Sequence, residues 1–296
     1  MSIIDTLPDV STLERDKLYE KYKSKIIENP DLDRTLVSFQ ANRKLPFYSW
    51  FKYKEGFSAE LVNYVIENQT TTKGALLDPF AGLGTALFAA RRLGWDTIGI
   101  ELLPVGFFAI EARLAGESIK SHTFKKELDK IEKINWNDFF DSSFKFKHIS
   151  ITEGAFPKKT ERSLAGFRAY IDQNINNPNV RKLFHLAGLA VLESISFTRK
   201  DGQYLRWDYR AGKSRSKTRF DKGNIADFST AVKQKLSEIY EDLSGNRSIE
   251  SNLFEFQGEK NKPGFLDLRR ESCLDVLPTL PRSTVDLVIT SPPYCN

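Results

Sequence analysis

Ala75-Leu76-Leu77-Asp78-Pro79-Phe80-Ala81-Gly82-Leu83-Gly84-Thr85, running on through an apolar helical segment to Trp95-Asp96-Thr97-Ile98-Gly99-Ile100-Glu101, decides the fold. Leu76 and Leu77 form a short apolar run bounded by turn residues, whereas Ala86, Leu87, Ala89, Ala90 and Leu93 supply helix formers with an apolar face that Gly94 ends. The pattern predicts strand, glycine turn, helix and second strand. Gly82 and Gly84 allow a sharp turn and close approach of the backbone to a ligand, and the helix after them offers unpaired N–H groups. Leu87 stands where a dinucleotide-binding turn needs its third glycine, and no Gly-Lys-Ser/Thr follows to make a P-loop. Two carboxylates remain, Asp78 at one strand tip and Glu101 at the next, and they suit a ligand carrying an ammonium group and a ribose diol.

Asp78-Pro79-Phe80-Ala81-Gly82-Leu83-Gly84-Thr85 resembles the cofactor motif of S-adenosylmethionine-dependent DNA methyltransferases that modify exocyclic amines. Val285-Asp286-Leu287-Val288-Ile289-Thr290-Ser291-Pro292-Pro293-Tyr294 is similar to the catalytic strand and Pro-Pro loop of the same family. The resemblance implies a doubly wound, Rossmann-like α/β sheet, here incomplete at about four strands and carrying a largely helical insertion. It implies that Asp78 holds the amino acid end of the cofactor and Glu101 its ribose. Pro79, Phe80, Gly82, Gly84 and Thr85 complete the turn, Phe57 serves as a lid, and Asp275 lies near the adenine. For Asp275, a helix-capping or surface role is the competing reading. At the loop, the Ser291 side chain and the Pro292 carbonyl accept hydrogen bonds from the target amine. Pro292 and Pro293 present carbonyls without N–H groups, and Tyr294 stacks on a base flipped out of double-stranded DNA. Ser291 preceded by Thr290 favours cytosine N4 over adenine N6, in an enzyme of a restriction-modification system.

With 296 residues, 40% hydrophobic and 28% charged, the composition is that of a soluble globular protein. No run of 18 apolar residues and no apolar leader occurs, so a cytoplasmic chain without membrane contact is expected. Cys273 and Cys295 are too few for a disulfide framework, and His122, His148 and His185 lack ligand spacing; no metal is expected. Positive charge is concentrated: Phe197 to Lys222 holds nine Lys/Arg against three Asp, in a chain whose net charge is +5. Arg199, Lys200, Arg206, Arg210, Lys213, Arg215, Lys217 and Arg219 are interleaved with Phe197, Tyr204, Trp207, Tyr209 and Phe220. That mixture fits a phosphate-tracking surface with stacking side chains better than a solvated loop.

In order along the chain, residues 1–45 read as a helical arm opening on a Ser11-Thr12-Leu13-Glu14 capping box, and residues 46–116 as the cofactor-binding part. Residues 117–263 read as a helical, basic insertion: helices near Phe124 to Ile134, Glu161 to Ile175, Val180 to Ile195 and Asn224 to Leu243, then a polar connection from Asn246 to Lys262. The sheet resumes over 264–296, passing from Phe265-Leu266-Asp267-Leu268 through Ser272 to Leu277 and into the strand at Val285. A fourth strand of consecutive apolar residues requires a neighbour, so a complementing C-terminal polypeptide is expected, without which the chain is inactive. Two further readings stay open: an RNA methyltransferase acting on guanine N2, and a cofactor- or DNA-binding subunit without activity of its own.

Overall fold

The computed structural model describes residues 10–25, 29, 32–52, 56–69, 72–201, 204–211, 219–245 and 262–291. Two compact units divide at Arg34 and Thr35. In the first unit, helix α1 (Val10–Tyr22) runs into a 3-10 turn at Lys23–Lys25. Val10 is already helical, one residue before the Ser11 expected to open the helix.

The second unit contains α2 (Ala59–Gln69), β1 (Ala75–Asp78), α3 (Thr85–Arg92), β2 (Asp96–Ile100) and α4 (Pro104–Ser118). The insertion follows as α5 (Ser121–Ile131), α6 (Lys158–Asn174), α7 (Pro178–Val191), the hairpin β3 (Thr198–Asp201) and β4 (Tyr204–Trp207), and α8 (Phe228–Ser244). β5 (Leu266–Arg269), α9 (Cys273–Val276) and β6 (Leu287–Val288) return to the sheet. The sheet is parallel, in the order β5-β2-β1-β6. That is the doubly wound arrangement expected, and β1 occupies an interior position with both faces covered: Leu76 packs under α2, α3 and α4, and Leu77 on the opposite face with Ile98, Ile100 and Val276.

Local chemistry explains the boundaries. Ser58 Oγ accepts from the Leu61 N–H at 3.0 Å and starts α2, while Gly94, with φ at 85°, donates to the Arg91 carbonyl and ends α3. Ser272 to Leu277, read from sequence as part of the sheet's course, forms the short helix α9 instead. Ser272 caps it by accepting from the Leu274 N–H at 3.2 Å, a polar side chain winning the backbone over β propensity. The helix expected from Asn224 begins at Phe228, behind Asp227, whose carboxylate accepts from the Thr230 N–H.

A second core fills the insertion and is rich in aromatic rings. Trp136 meets Phe167 edge to face, Phe167 meets Phe228, and Phe124 meets Phe184. Ile110 of α4 belongs to the sheet core and Ala109 and Ala112 to the insertion core, so α4 is shared between them. Of the expected polar connection from Asn246 to Lys262, residues 246–261 lie outside the described residues. Among the described residues no helix is long and apolar enough to cross a membrane.

Candidate functional site

The carboxyl ends of β1 and β2 open on a cavity of about 510 Å³, within the range of small-molecule sites. Asp78 closes β1 and is 2% exposed. Its Oδ1 accepts from the Phe80 N–H at 3.1 Å and from the Thr290 hydroxyl at 2.8 Å, so the tip of β1 is tied to the residue following β6. Burial pushes its carboxyl up to about 6; the Thr290 and Phe80 hydrogen bonds oppose the rise, and nearby Glu101 adds to it.

The turn that follows is held from several sides. Ala81 N–H donates to the Ile100 carbonyl at 2.9 Å, and Gly84 N–H donates to the Ala81 carbonyl at 2.6 Å. Gly82 and Gly84 have φ of 55° and 73°, the left-handed region where a side chain is strained. Glu101 follows β2 and accepts from the Gly82 N–H at 2.6 Å and the Leu103 N–H at 2.7 Å. Burial raises its carboxyl above the usual range, against those two N–H donors. Gly106 of α4 lies so close that an added Cβ would sit 2.6 Å from the Gly82 carbonyl and 3.0 Å from the Glu101 side chain. This close approach brings the start of α4 against the turn.

Most of the residues expected around a cofactor line this one cavity: Phe57, Asp78, Pro79, Phe80, Gly82, Thr85 and Glu101, together with Ser291. Gly84 is the N-cap of α3 at the edge of the same turn. Asp275 does not join them; it is exposed on α9, and the cavity is lined there by Glu271, Ser272, Cys273 and Leu274. The sequence reading missed those four, and also Phe39, Leu102 and Leu103. Position after a parallel strand's carboxyl end is the available signal for Glu271 to Leu274, and the Leu102-Leu103 pair between Glu101 and Pro104 is the signal for the other wall. Phe57 is anchored by Asn42, whose Nδ2 donates to the Phe57 carbonyl at 2.9 Å while its Oδ1 accepts from the Ala59 N–H. Pro292, Pro293 and Tyr294 lie outside the described residues.

The residues present suit S-adenosylmethionine. Two buried carboxylates match its ammonium and ribose hydroxyls, and Phe57, Ile100, Leu102 and Leu274 offer apolar surface for its purine.

Within the basic segment, β3 and β4 pair as an antiparallel ribbon. Arg199 pairs with Arg206 and Lys200 with Leu205, and these three cations are exposed along it. Arg206 lies 4.3 Å from the Phe220 ring centre, Arg219 lies 3.7 Å from that of Tyr209, and Tyr204 is 77% exposed. Arg210 is paired within the segment. Its guanidinium binds fully buried Asp208 at 2.6 and 2.9 Å and the Gly223 carbonyl at 2.7 Å, because a buried carboxylate needs a paired charge. Lys213, Arg215 and Lys217 lie outside the described residues.

A DNA methylase family model matches residues 10–105. The chain is 39% identical over 281 residues to the type II methyltransferase M.AvaI of Nostoc sp., covering 94% of this chain and 57% of that protein. It is 37% identical over 303 residues to the type II methyltransferase M.BsoBI of Geobacillus stearothermophilus, covering 96% and 56% respectively. A more distant likeness, 23% over 146 residues, covers 45% of this chain and 26% of the type II methyltransferase M.MjaII of Methanocaldococcus jannaschii. The chain thus spans little more than half the length of the first two relatives.

Proposed function

We propose that the chain is a DNA methylase, as its family-model match and its relatives suggest, and that it forms the cofactor-holding and amine-orienting part of a type II DNA methyltransferase of a restriction-modification system. One observation carries this reading: Asp78 and Glu101, at the carboxyl ends of adjacent parallel strands, share a cavity with Ser291 beyond β6. When bound there, S-adenosylmethionine supplies an electrophilic sulfonium methyl. Asp78 pairs with the ammonium group and Glu101 accepts from the ribose hydroxyls, with the turn between them fixed in advance by its own hydrogen bonds. Ser291 accepts a hydrogen bond from the exocyclic amine of the target base and draws its lone pair out of conjugation with the ring. Pro292 and Pro293 add carbonyl acceptors and Tyr294 a stacking face for a flipped base. Ser291 at the head of the loop supports cytosine N4 over adenine N6 as the target, and a cytoplasmic location belongs to the same reading.

The ribbon carrying Arg199, Lys200 and Arg206, with Arg219 beside it, is assigned the phosphate contacts. Reversing Arg199 and Arg206 to glutamate is expected to weaken DNA binding and flatten the dependence of log K on log salt by about two units. A salt titration with unaltered slope removes the ribbon from the interface.

Methyl transfer also requires polypeptide packed beside β6. Among the described residues β6 pairs only with β1, and Val288 on it is 53% exposed, which leaves apolar surface and backbone groups for a neighbour. Assay of residues 1–296 on DNA should give turnover only when the remainder of the relatives' length is supplied as a second polypeptide. Turnover by the lone chain would contradict this.

A further inference from the structure

Helix α4 carries Arg113, a guanidinium only 5% exposed. Among the described residues no carboxylate lies within ion-pair distance of it, so carbonyls and aromatic rings must compensate its lost hydration. Nη1 donates to the Leu83 carbonyl at 3.1 Å and Nε to the Phe47 carbonyl at 3.0 Å. Its carbon centre lies 4.1 Å from the Tyr48 ring centre and 4.7 Å from that of Phe88. Burial pulls the guanidinium down to about 10, with Tyr48 and Glu117 opposing that and Arg92 adding to it; it is charged at neutral pH.

One carbonyl lies between two residues of positive φ and the other belongs to one. Leu83 lies between Gly82 and Gly84 of the turn, and its C=O shares one rigid peptide plane with the Gly84 N–H. Holding the Leu83 oxygen therefore aims the Gly84 N–H the opposite way, where it meets the Ala81 carbonyl at 2.6 Å. Phe47 has φ of 66°, a conformation that costs a bulky residue energy and persists only where its surroundings hold it. Its C=O accepts from Arg113, and its N–H donates at 2.9 Å to Oδ2 of Asp242 on α8, an oxygen that also accepts from the Trp50 indole at 2.7 Å. Asp242 is 5% exposed. A buried cation and a buried anion thus face each other across a single strained residue.

We propose that Arg113, braced by Asp242 through the backbone of Phe47, is a positioning residue that holds the Gly82–Gly84 turn in shape for its ligand, and so ties α8 of the insertion to the cofactor cavity. This rests on the reading of that cavity as the S-adenosylmethionine site. Lysine in place of Arg113 keeps the charge but not the planar fork that spans two carbonyls. Asparagine in place of Asp242 keeps an acceptor but not the charge.

The test compares the wild-type chain with Arg113→Lys, Asp242→Asn and the double variant. It uses amide hydrogen exchange at Gly84 in the unliganded proteins and calorimetry with S-adenosylmethionine. Arg113→Lys is expected to speed exchange at Gly84 and weaken binding, each by about tenfold, the scale of one hydrogen bond to a charged donor. Asp242→Asn should act in the same direction by about threefold, and the double variant should lose less than the product of the two. Unchanged exchange at Gly84 in Arg113→Lys overturns the proposal, as does a fall in thermal stability with exchange and affinity both preserved. If Arg113→Lys does not fold, Asp242→Asn decides by the same exchange measurement. Failure of the wild-type chain to bind S-adenosylmethionine would sink the cofactor reading, while exchange at Gly84 would still judge the role of Arg113.

Discussion

Glu101→Ala is expected to weaken S-adenosylmethionine binding by at least about a hundredfold while leaving the chain folded. The carboxylate does two things at once. Each of its oxygens takes one backbone N–H, from Gly82 and from Leu103, and so joins the two walls of the cavity. Its remaining lone pairs are the acceptors proposed for the ribose. Alanine removes all of these and leaves two N–H groups without their acceptor; each lost bond to a charged acceptor is worth about 1.5–3 kcal/mol. Glu101→Gln has one carbonyl oxygen where two acceptors are needed, so a loss of about tenfold is expected from it. Calorimetry on both variants, with thermal melts as the folding control, separates these outcomes. Unchanged affinity in Glu101→Ala would remove Glu101 from the site.

Asp78→Asn is expected to move stability and binding in opposite directions. In the unliganded fold the Asp78 carboxyl titrates at about 6 against an ordinary 3.8, chiefly because burial penalises its charge. A raised folded-state value means the native state holds the proton more tightly than the unfolded chain. The stability linked to that proton is complete below about 3.8 and lost as pH rises through about 6, a loss of about 3 kcal/mol by neutrality. Asparagine keeps an oxygen for Thr290 and the Phe80 N–H yet carries no charge, so the variant should melt several degrees above wild type at pH 7 and converge with it near pH 4. Cofactor affinity should collapse in the same variant, because the ammonium group loses its counter-charge. In the wild type, binding should weaken as pH falls below about 6, approaching tenfold per pH unit. A melting difference that stays constant across pH, or an Asp78→Asn variant that binds normally, would refute the assignment.

The charge whose burial costs stability is the one proposed to meet the cationic ligand. Glu101 differs in degree: backbone N–H donors occupy it already, so it shapes the site before any ligand arrives. The two carboxylates look alike in sequence and are set apart by their surroundings.

The individual strands and the turn are legible in the sequence, because each rests on neighbours in the chain. Leu76 and Leu77 pack on opposite faces of β1 as consecutive strand residues must, and Gly82 and Gly84 adopt the left-handed conformations their residue type permits. The same holds for the strand expected at Phe265 to Leu268, which forms as Leu266–Arg269, and for the helical stripe Ile225, Phe228, Val232, Leu236, Ile239 and Leu243, of which Phe228, Val232, Leu236 and Ile239 are buried along α8. Tertiary structure decided what depends on distance through space. Arg210 reads as one cation among nine and is instead bound to buried Asp208, a pairing made by a turn that charge counting does not see. Asp275 reads either as an adenine contact or as a capping or surface residue; it is exposed on α9, while Glu271 and Leu274 line the wall, because the Ser272 cap turns that segment into a helix. The bracing of Leu83 by Arg113, and of Phe47 by Asp242 195 residues further along, left no trace in local pattern. Periodicity records which face of an element is buried; it carries no record of which buried polar groups meet, and folding alone brings those together.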